Sequence, residues 1–184
     1  AQLLQNIDCK TDLLIIIVIN APMNEGQSQY DQAAAKRTAK LVNYLKDHES
    51  SKDVGSHFDR IIIDRVSPGL EIPAKQGVGL ARKIANDLAL ALYAQGRIVC
   101  PWFFQTDADV CLPSDYFVTP LPDRGCAIFP HKHVSEDQQL INACRIYDLH
   151  MNYYICALKK YGSRYAHPSL GSTFAIHCLD YASV

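Results

Sequence analysis

Apolar residues in this chain fall into runs and stripes of different period, and the periods predict its elements. The stretch "DLLIIIVINAP" (12–22) is a continuous β-branched run stopped by Asn-Ala-Pro. Such a run predicts a strand buried on both faces of a parallel sheet. Residues 31–48 place Ala34, Leu41, Val42 and Leu45 on one side and Lys or Arg on the other, which predicts a helix. "FDRIIIDRV" (58–66) predicts a second strand. "SPGLEIPAKQGVG" carries two Pro and three Gly and predicts an extended loop. Residues 80–96 place Ile84, Leu88, Ala91 and Leu92 at helical spacing, with Gly96 as the stop.

"RIVCPWFFQT" (97–106) predicts a third strand, with Pro101 marking an edge or bulge. "PSDYFVTPLP" then predicts a short helix start and a turn. "GCAIFPH" (125–131) predicts a short strand. Residues 135–162 predict a long helix. Ser135 is its cap, Glu136 and Asp137 lie in the first turn, Lys159 and Lys160 in the last, and Gly162 follows. "GSTFAIHCL" (171–179) predicts a last strand. The order β-α-β-α-β followed by a shorter βαβ predicts an α/β domain with a largely parallel sheet. There are no repeats and no interdomain linkers.

Bulk composition narrows the function classes. The 184 residues suit one domain. A net charge of -1 gives no electrostatic footprint for nucleic acid or an anionic membrane surface. The longest apolar run, Leu13 to Ile19, is too short to span a bilayer. The first residue is not Met and no signal peptide is visible, which predicts an excised fragment. Seven Cys, widely spaced and without a CxxC, predict free thiols in a reducing compartment, packed as small core residues.

Candidate chemistry sits first in "FFQTDADVCLP" (103–113). Asp107 and Asp109 follow a strand that reads as buried, and buried charge needs compensation. In extended backbone, residues i and i+2 point the same way, so both carboxylates would address one hard cation, Mg²⁺ or Mn²⁺. The bland alternative is that these Asp cap the following turn. In "KQGVGLARK" (75–83), Gly77 and Gly79 would let a ligand approach a helix N-terminus, where free N–H groups favour anions. Arg82 and Lys83 in the first turn would oppose the macrodipole unless an anion stands nearby, or they simply face water. The pattern is neither a P-loop nor a complete G-x-G-x-x-G. Asn20 at the first strand's end would read a base edge or ribose, and is equally an ordinary turn residue. His131 and His133 have the spacing of a transition-metal pair, but no convincing third ligand stands near them in sequence.

The Asn20 strand end, "GVGLARKIANDLAL", "FFQTDADVCLPSDYF" and "GSTFAIHCLDYASV" together resemble the family 2 glycosyltransferases, in that order along the chain. The resemblance implies a GT-A-like, Rossmann-like fold: a mostly parallel sheet flanked by helices, here a single domain truncated at both ends. It implies an inverting, metal-dependent transfer from a nucleotide-sugar donor, a UDP-sugar, to an acceptor hydroxyl. Asp107 and Asp109 would be the D-x-D pair that binds Mn²⁺ or Mg²⁺ and the diphosphate. Asn20, Gly79 and Arg82 would contact the nucleotide, with Asp64 as the second choice at the base. Gly171, Ser172 and Thr173 would lie on the acceptor side. The acceptor would be a saccharide or a lipid-linked group, as in cell-envelope polysaccharide synthesis. The location would be cytoplasmic, with any membrane association supplied by the parent protein.

In that family an opening strand precedes the strand that ends at the base. "DLLIIIVIN" would then be the second strand, and "AQLLQNIDC" the tail of the first helix; the alternative makes "DLLIIIVIN" the first strand and "RIIIDRVS" the second, with Asp64 at the base. The family's general base lies beyond "LDYASV", so the resemblance leaves the catalytic base unassigned and implies donor binding without turnover. The competing classes are a non-catalytic nucleotide-sugar-binding domain and a sugar nucleotidyltransferase, for which "INAPMNEGQSQ" is a poor Gly-rich loop.

Overall fold

The structure, a computed structural model, describes residues 12–21, 29–47, 58–73, 75–168 and 173–184. The chain divides into two compact units. One holds the described residues up to Phe103 together with 113–118, and the other holds 104–112 and 119–184.

The N-terminal unit begins with strand β1 (Leu13–Asn20), helix α1 (Gln29–Asp47) and strand β2 (Phe58–Arg65). β1 and β2 pair in parallel, with Ile16 opposite Ile61, Ile19 opposite Asp64 and Asn20 opposite Arg65. The crossover through α1 is what a parallel pair requires. Helix α2 (Gly77–Ala94) packs on β1, and α1 touches both strands. Most β1 side chains are half-buried and only Ile19 is fully buried. The expectation of burial on both faces is therefore corrected: among the described residues this sheet has two strands, and a two-stranded sheet leaves each strand an edge.

The helix stripes also shift. On α1, Val42 is buried but Leu41 is 49% exposed. On α2 the buried positions are Ala81, Asn86, Ala89 and Leu92, and Ala91 lies outside the core. Small residues carry that face, so a count of large apolar residues misplaced it by part of a turn. α2 ends as expected. Gly96 takes φ +70°, its N–H donates to the Tyr93 carbonyl and the Arg97 N–H to that of Leu92. This is a Schellman closure, and it needs the left-handed residue.

The remaining elements are strand β3 (Trp102–Gln105), strand β4 (Cys126–Ile128), helix α3 (Gln138–Lys160), strand β5 (Phe174–His177) and the short helix α4 (Cys178–Tyr181). The second sheet has the order β3-β5-β4. β4 and β5 are antiparallel, with Ala127 opposite Ala175, so one largely parallel sheet is not what the described residues form. All three strands are shorter than their apolar runs. Residues 97–101 lie outside β3, where Pro101 can donate no ladder bond. β5 stops at His177 because its ring Nδ1 accepts the Leu179 N–H at 3.3 Å and caps α4. Phe104 stacks on Phe129 at 6.0 Å, and Ala175 and Cys178 have no exposure at all.

α3 begins later than expected. Asp137, not Ser135, is its cap: the Asp137 carboxylate accepts the Gln139 N–H at 2.7 Å, and Ser135 Oγ accepts the Asp137 N–H at 3.1 Å. Lys159 and Lys160 do occupy the last turn, and Gly162 at φ +74° closes it with N–H bonds from Gly162 and Ser163. The thiol expectation holds in part. Cysteines 100, 111, 126, 144, 156 and 178 are free, yet only Cys178 is buried. The others sit in loops, on an edge strand and on α3, where Cys144 is half-buried and Cys156 exposed, so an apolar run does not by itself mean burial. The 1–9 segment and the "MNEGQS" loop lie outside the described residues.

Candidate functional site

The turn after β3 carries the acidic pair. The Val110 N–H donates to the Asp107 carbonyl at 3.4 Å, which closes a four-residue turn over Asp107–Val110. Thr106 Oγ1 also donates to that carbonyl, at 3.2 Å. Asp107 is half-buried and Asp109 is exposed. The two carboxylates thus stand on one turn and not along extended backbone. The argument from strand alternation does not apply to them; what they share is one turn. Mg²⁺ is commonly held by one or two carboxylates with substrate phosphates completing its shell. An accessible Asp pair on one turn fits that demand. Among the described residues no group of three or more His, Cys, Asp and Glu is arranged to hold a metal by itself.

In the N-terminal unit, Asn20 and Arg65 are register partners at the carboxyl ends of the parallel strands. The Ala21 N–H donates to the Arg65 carbonyl at 3.3 Å and extends the pairing by one step. Carboxyl ends of parallel strands are the usual ligand position in open α/β sheets. Arg65 Nε is buried with no hydrogen-bond partner among the described residues. The sequence signal for it was present in "IIIDRVS", one residue beyond the Asp64 already considered.

Asp64 itself is spoken for. Its side chain is 7% exposed and receives Lys46 Nζ at 2.7 Å. It also accepts the Val66 and Ser67 N–H groups at 2.9 and 3.0 Å and Ser67 Oγ at 2.6 Å. Burial alone would raise its pKa, but these hydrogen bonds together outweigh it and hold the carboxyl well below the ordinary range. Its work is to fasten the end of β2 to α1.

Gly77, Gly79 and Arg82 move relative to the helix. α2 starts at Gly77, so both glycines lie in its first turn and Arg82 and Lys83 in its second. The macrodipole penalty expected for those two cations is therefore largely absent. Lys83 pairs with Asp87 at 2.6 Å, four residues on. The α2 N-terminus has no side-chain cap and no acidic residue in its first turn. A Cβ on Gly79 would meet nothing within 4 Å, so packing does not account for that glycine.

Thr173 is 6% exposed and precedes β5. Its carbonyl accepts the Phe129 N–H at 2.9 Å, and its Oγ1 is buried without a partner among the described residues. Gly171 and Ser172 lie outside the described residues.

One group of side chains in the C-terminal unit escaped the sequence reading. His133 Nδ1 lies 2.8 Å from Asp148 Oδ1. The His133 ring is edge-on to His131 at 5.9 Å and to Tyr147 at 5.5 Å. Sequence spacing offered His131 and His133 no third member because Asp148 comes from the middle of α3. No helix among the described residues is long and apolar enough to cross a membrane. No protein-family model, curated protein or solved structure matches the chain.

Proposed function

We propose that this chain is the donor-binding part of a metal-dependent, inverting glycosyltransferase of GT-A-like, Rossmann-like architecture. The observation that carries the reading is the Asp107–Val110 turn, which carries both Asp107 and Asp109 just beyond a strand's carboxyl end. Asp107 and Asp109 would hold Mn²⁺ or Mg²⁺. The cation would supply Lewis-acid neutralisation of the diphosphate leaving group. Asn20, Gly79 and Arg82 are proposed as nucleotide contacts. An uncapped α2 N-terminus suits a phosphate, and an amide at a strand end suits a base edge or a ribose hydroxyl. The residue that deprotonates the acceptor is not assigned among them.

Calorimetric titration with UDP and with GDP, each with and without Mn²⁺, tests the proposal. The expected result is binding that requires the metal, names the base, and weakens by on the order of tenfold or more in Asp107→Asn and Asp109→Asn, since one charge-assisted contact is worth at least about 1.4 kcal/mol. Binding that ignores the metal, or no binding to either nucleotide, would overturn it.

A further inference from the structure

The C-terminal unit contains an open cavity of about 150 Å³ on its surface, lined by His131, Tyr147, Asp148, Met151, Asn152, Ile155 and Pro168. Four of these, at 148, 151, 152 and 155, follow helical i, i+3, i+4, i+7 spacing and form one face of α3. The space is far larger than the roughly 15 Å³ one water requires, and smaller than the ~300–1,000 Å³ of drug-sized sites.

Its chemistry is specific. Asp148 Oδ1 can only accept, so His133 Nδ1 donates to it, which leaves Nε2 of the neutral ring as an acceptor. His131, on the cavity wall, has a buried Nδ1 without a hydrogen-bond partner among the described residues. A buried polar atom left unpaired is costly and rare. Asn152 adds one donor group and one acceptor, and the second oxygen of Asp148 adds another acceptor. Tyr147, Met151 and Ile155 supply aromatic and apolar surface. Among the described residues no Lys or Arg lines the space, and the Asp148 carboxylate opposes an anion there.

Donors and acceptors side by side around a small, partly aromatic hollow match a neutral molecule with several hydroxyls. We propose that this cavity is a binding site for a small polyhydroxylated molecule the size of one sugar ring, with its hydroxyls bonded to His131 Nδ1, Asn152 and the Asp148–His133 pair. Asp148 is also a positioning residue, because it fixes the tautomer of His133. The site goes beyond the donor reading and uses neither Asp107 nor Asp109.

The test is a titration of the full chain with a panel of neutral hexoses and N-acetylhexosamines at millimolar concentrations, without nucleotide or metal. The ring nitrogens of His131 and His133 are followed by NMR. The expected result is a saturable shift of His131 Nδ1 with at least one sugar. Affinity should weaken by on the order of tenfold in Asn152→Ala, the loss of about one hydrogen bond. Asn152 is exposed on α3, so this variant keeps the fold. In Asp148→Asn the His133 tautomer signature should change. No saturable shift with any sugar, or shifts unaltered by Asn152→Ala, would overturn the proposal. Metal-dependent nucleotide binding is measured separately, so failure of this site and failure of the donor reading give different results.

Discussion

At the scale of single residues, two carboxylates singled out from the sequence stand in different surroundings. Asp64 and Asp109 both come at or just after the end of an apolar run, and periodicity treats them alike. The difference lies in how far the fold closes over them. Lys46 comes from α1 and Ser67 from the loop beyond β2, and together they close over Asp64. Asp109 stays exposed on its turn. Replacing Asp64 by Ala would leave the Val66 and Ser67 N–H groups and a Lys ammonium without their acceptor. We expect Asp64→Ala to lower stability by about 2 kcal/mol in urea denaturation. Asp109→Asn should lie within about 0.5 kcal/mol of the parent, as exposed substitutions do. Equal losses at the two positions would contradict the assignment of structural and ligand-facing roles. Asp107 and Asp109 stand out in the sequence because two acidic residues one position apart after a strand are conspicuous. Asp148 does not, because its partner is fifteen residues away and an Asp inside an amphipathic helix reads as a solvated position.

At the scale of elements, the long helices and the places of all five strands were legible, while the extents of the three short strands and their pairing were not. Helix ends are written locally. Gly96 and Gly162 each take positive φ, and a Cβ at either would meet nothing within 4 Å. The cost of substitution is therefore backbone strain alone, and Gly96→Ala or Gly162→Ala should each destabilise by about 1 kcal/mol. Gly79 is the useful contrast. It lies inside the first turn of α2 without a positive φ and also has open space around its Cα. Gly79→Ala should raise stability by roughly 0.5 kcal/mol. If the glycine is kept for close approach of a nucleotide, the same variant should bind UDP less well. A variant that is more stable and binds unchanged would remove Gly79 from the donor site. β4 and β5 were missed as an antiparallel pair because pairing direction is not a local property. Their runs are of three and four residues, too short for a period to register. α3 carries apolar residues around much of its circumference, with Ile146, Leu149 and Tyr153 exposed and Ile155 buried. Its cavity-lining face could therefore not be chosen by counting apolar positions.

At the scale of the whole molecule, each compact unit holds, among the described residues, a carboxylate whose proton affinity is depressed by its own hydrogen bonds. In the C-terminal unit this is Asp180. Arg124 grips it with two bonds of 2.9 and 2.8 Å, and the Gly125 N–H donates at 2.7 Å. The Arg124 bonds and then the Gly125 bond lower the Asp180 pKa from 3.8 to about 2. In the N-terminal unit Asp64 is shifted in the same direction. A depressed carboxylate binds fewer protons folded than unfolded, so its contribution is complete above the unfolded value and is lost as pH falls through the folded one. For Asp180 the window runs from about pH 4 down to about pH 2. Asp64 loses its contribution over a window that begins at the same upper limit and extends lower. Asp180→Asn should reduce the slope of stability against pH in that window and leave the slope above about pH 5 unchanged, because no protons are exchanged there. The two units offer separate reporters: Trp102, the only tryptophan, belongs to the N-terminal one and His177 to the C-terminal one. Asp180→Asn should move the acid transition seen at His177, and Asp64→Asn the one seen at Trp102. If either substitution shifts both transitions equally, the chain unfolds as one cooperative body and acid stability cannot be divided between the units.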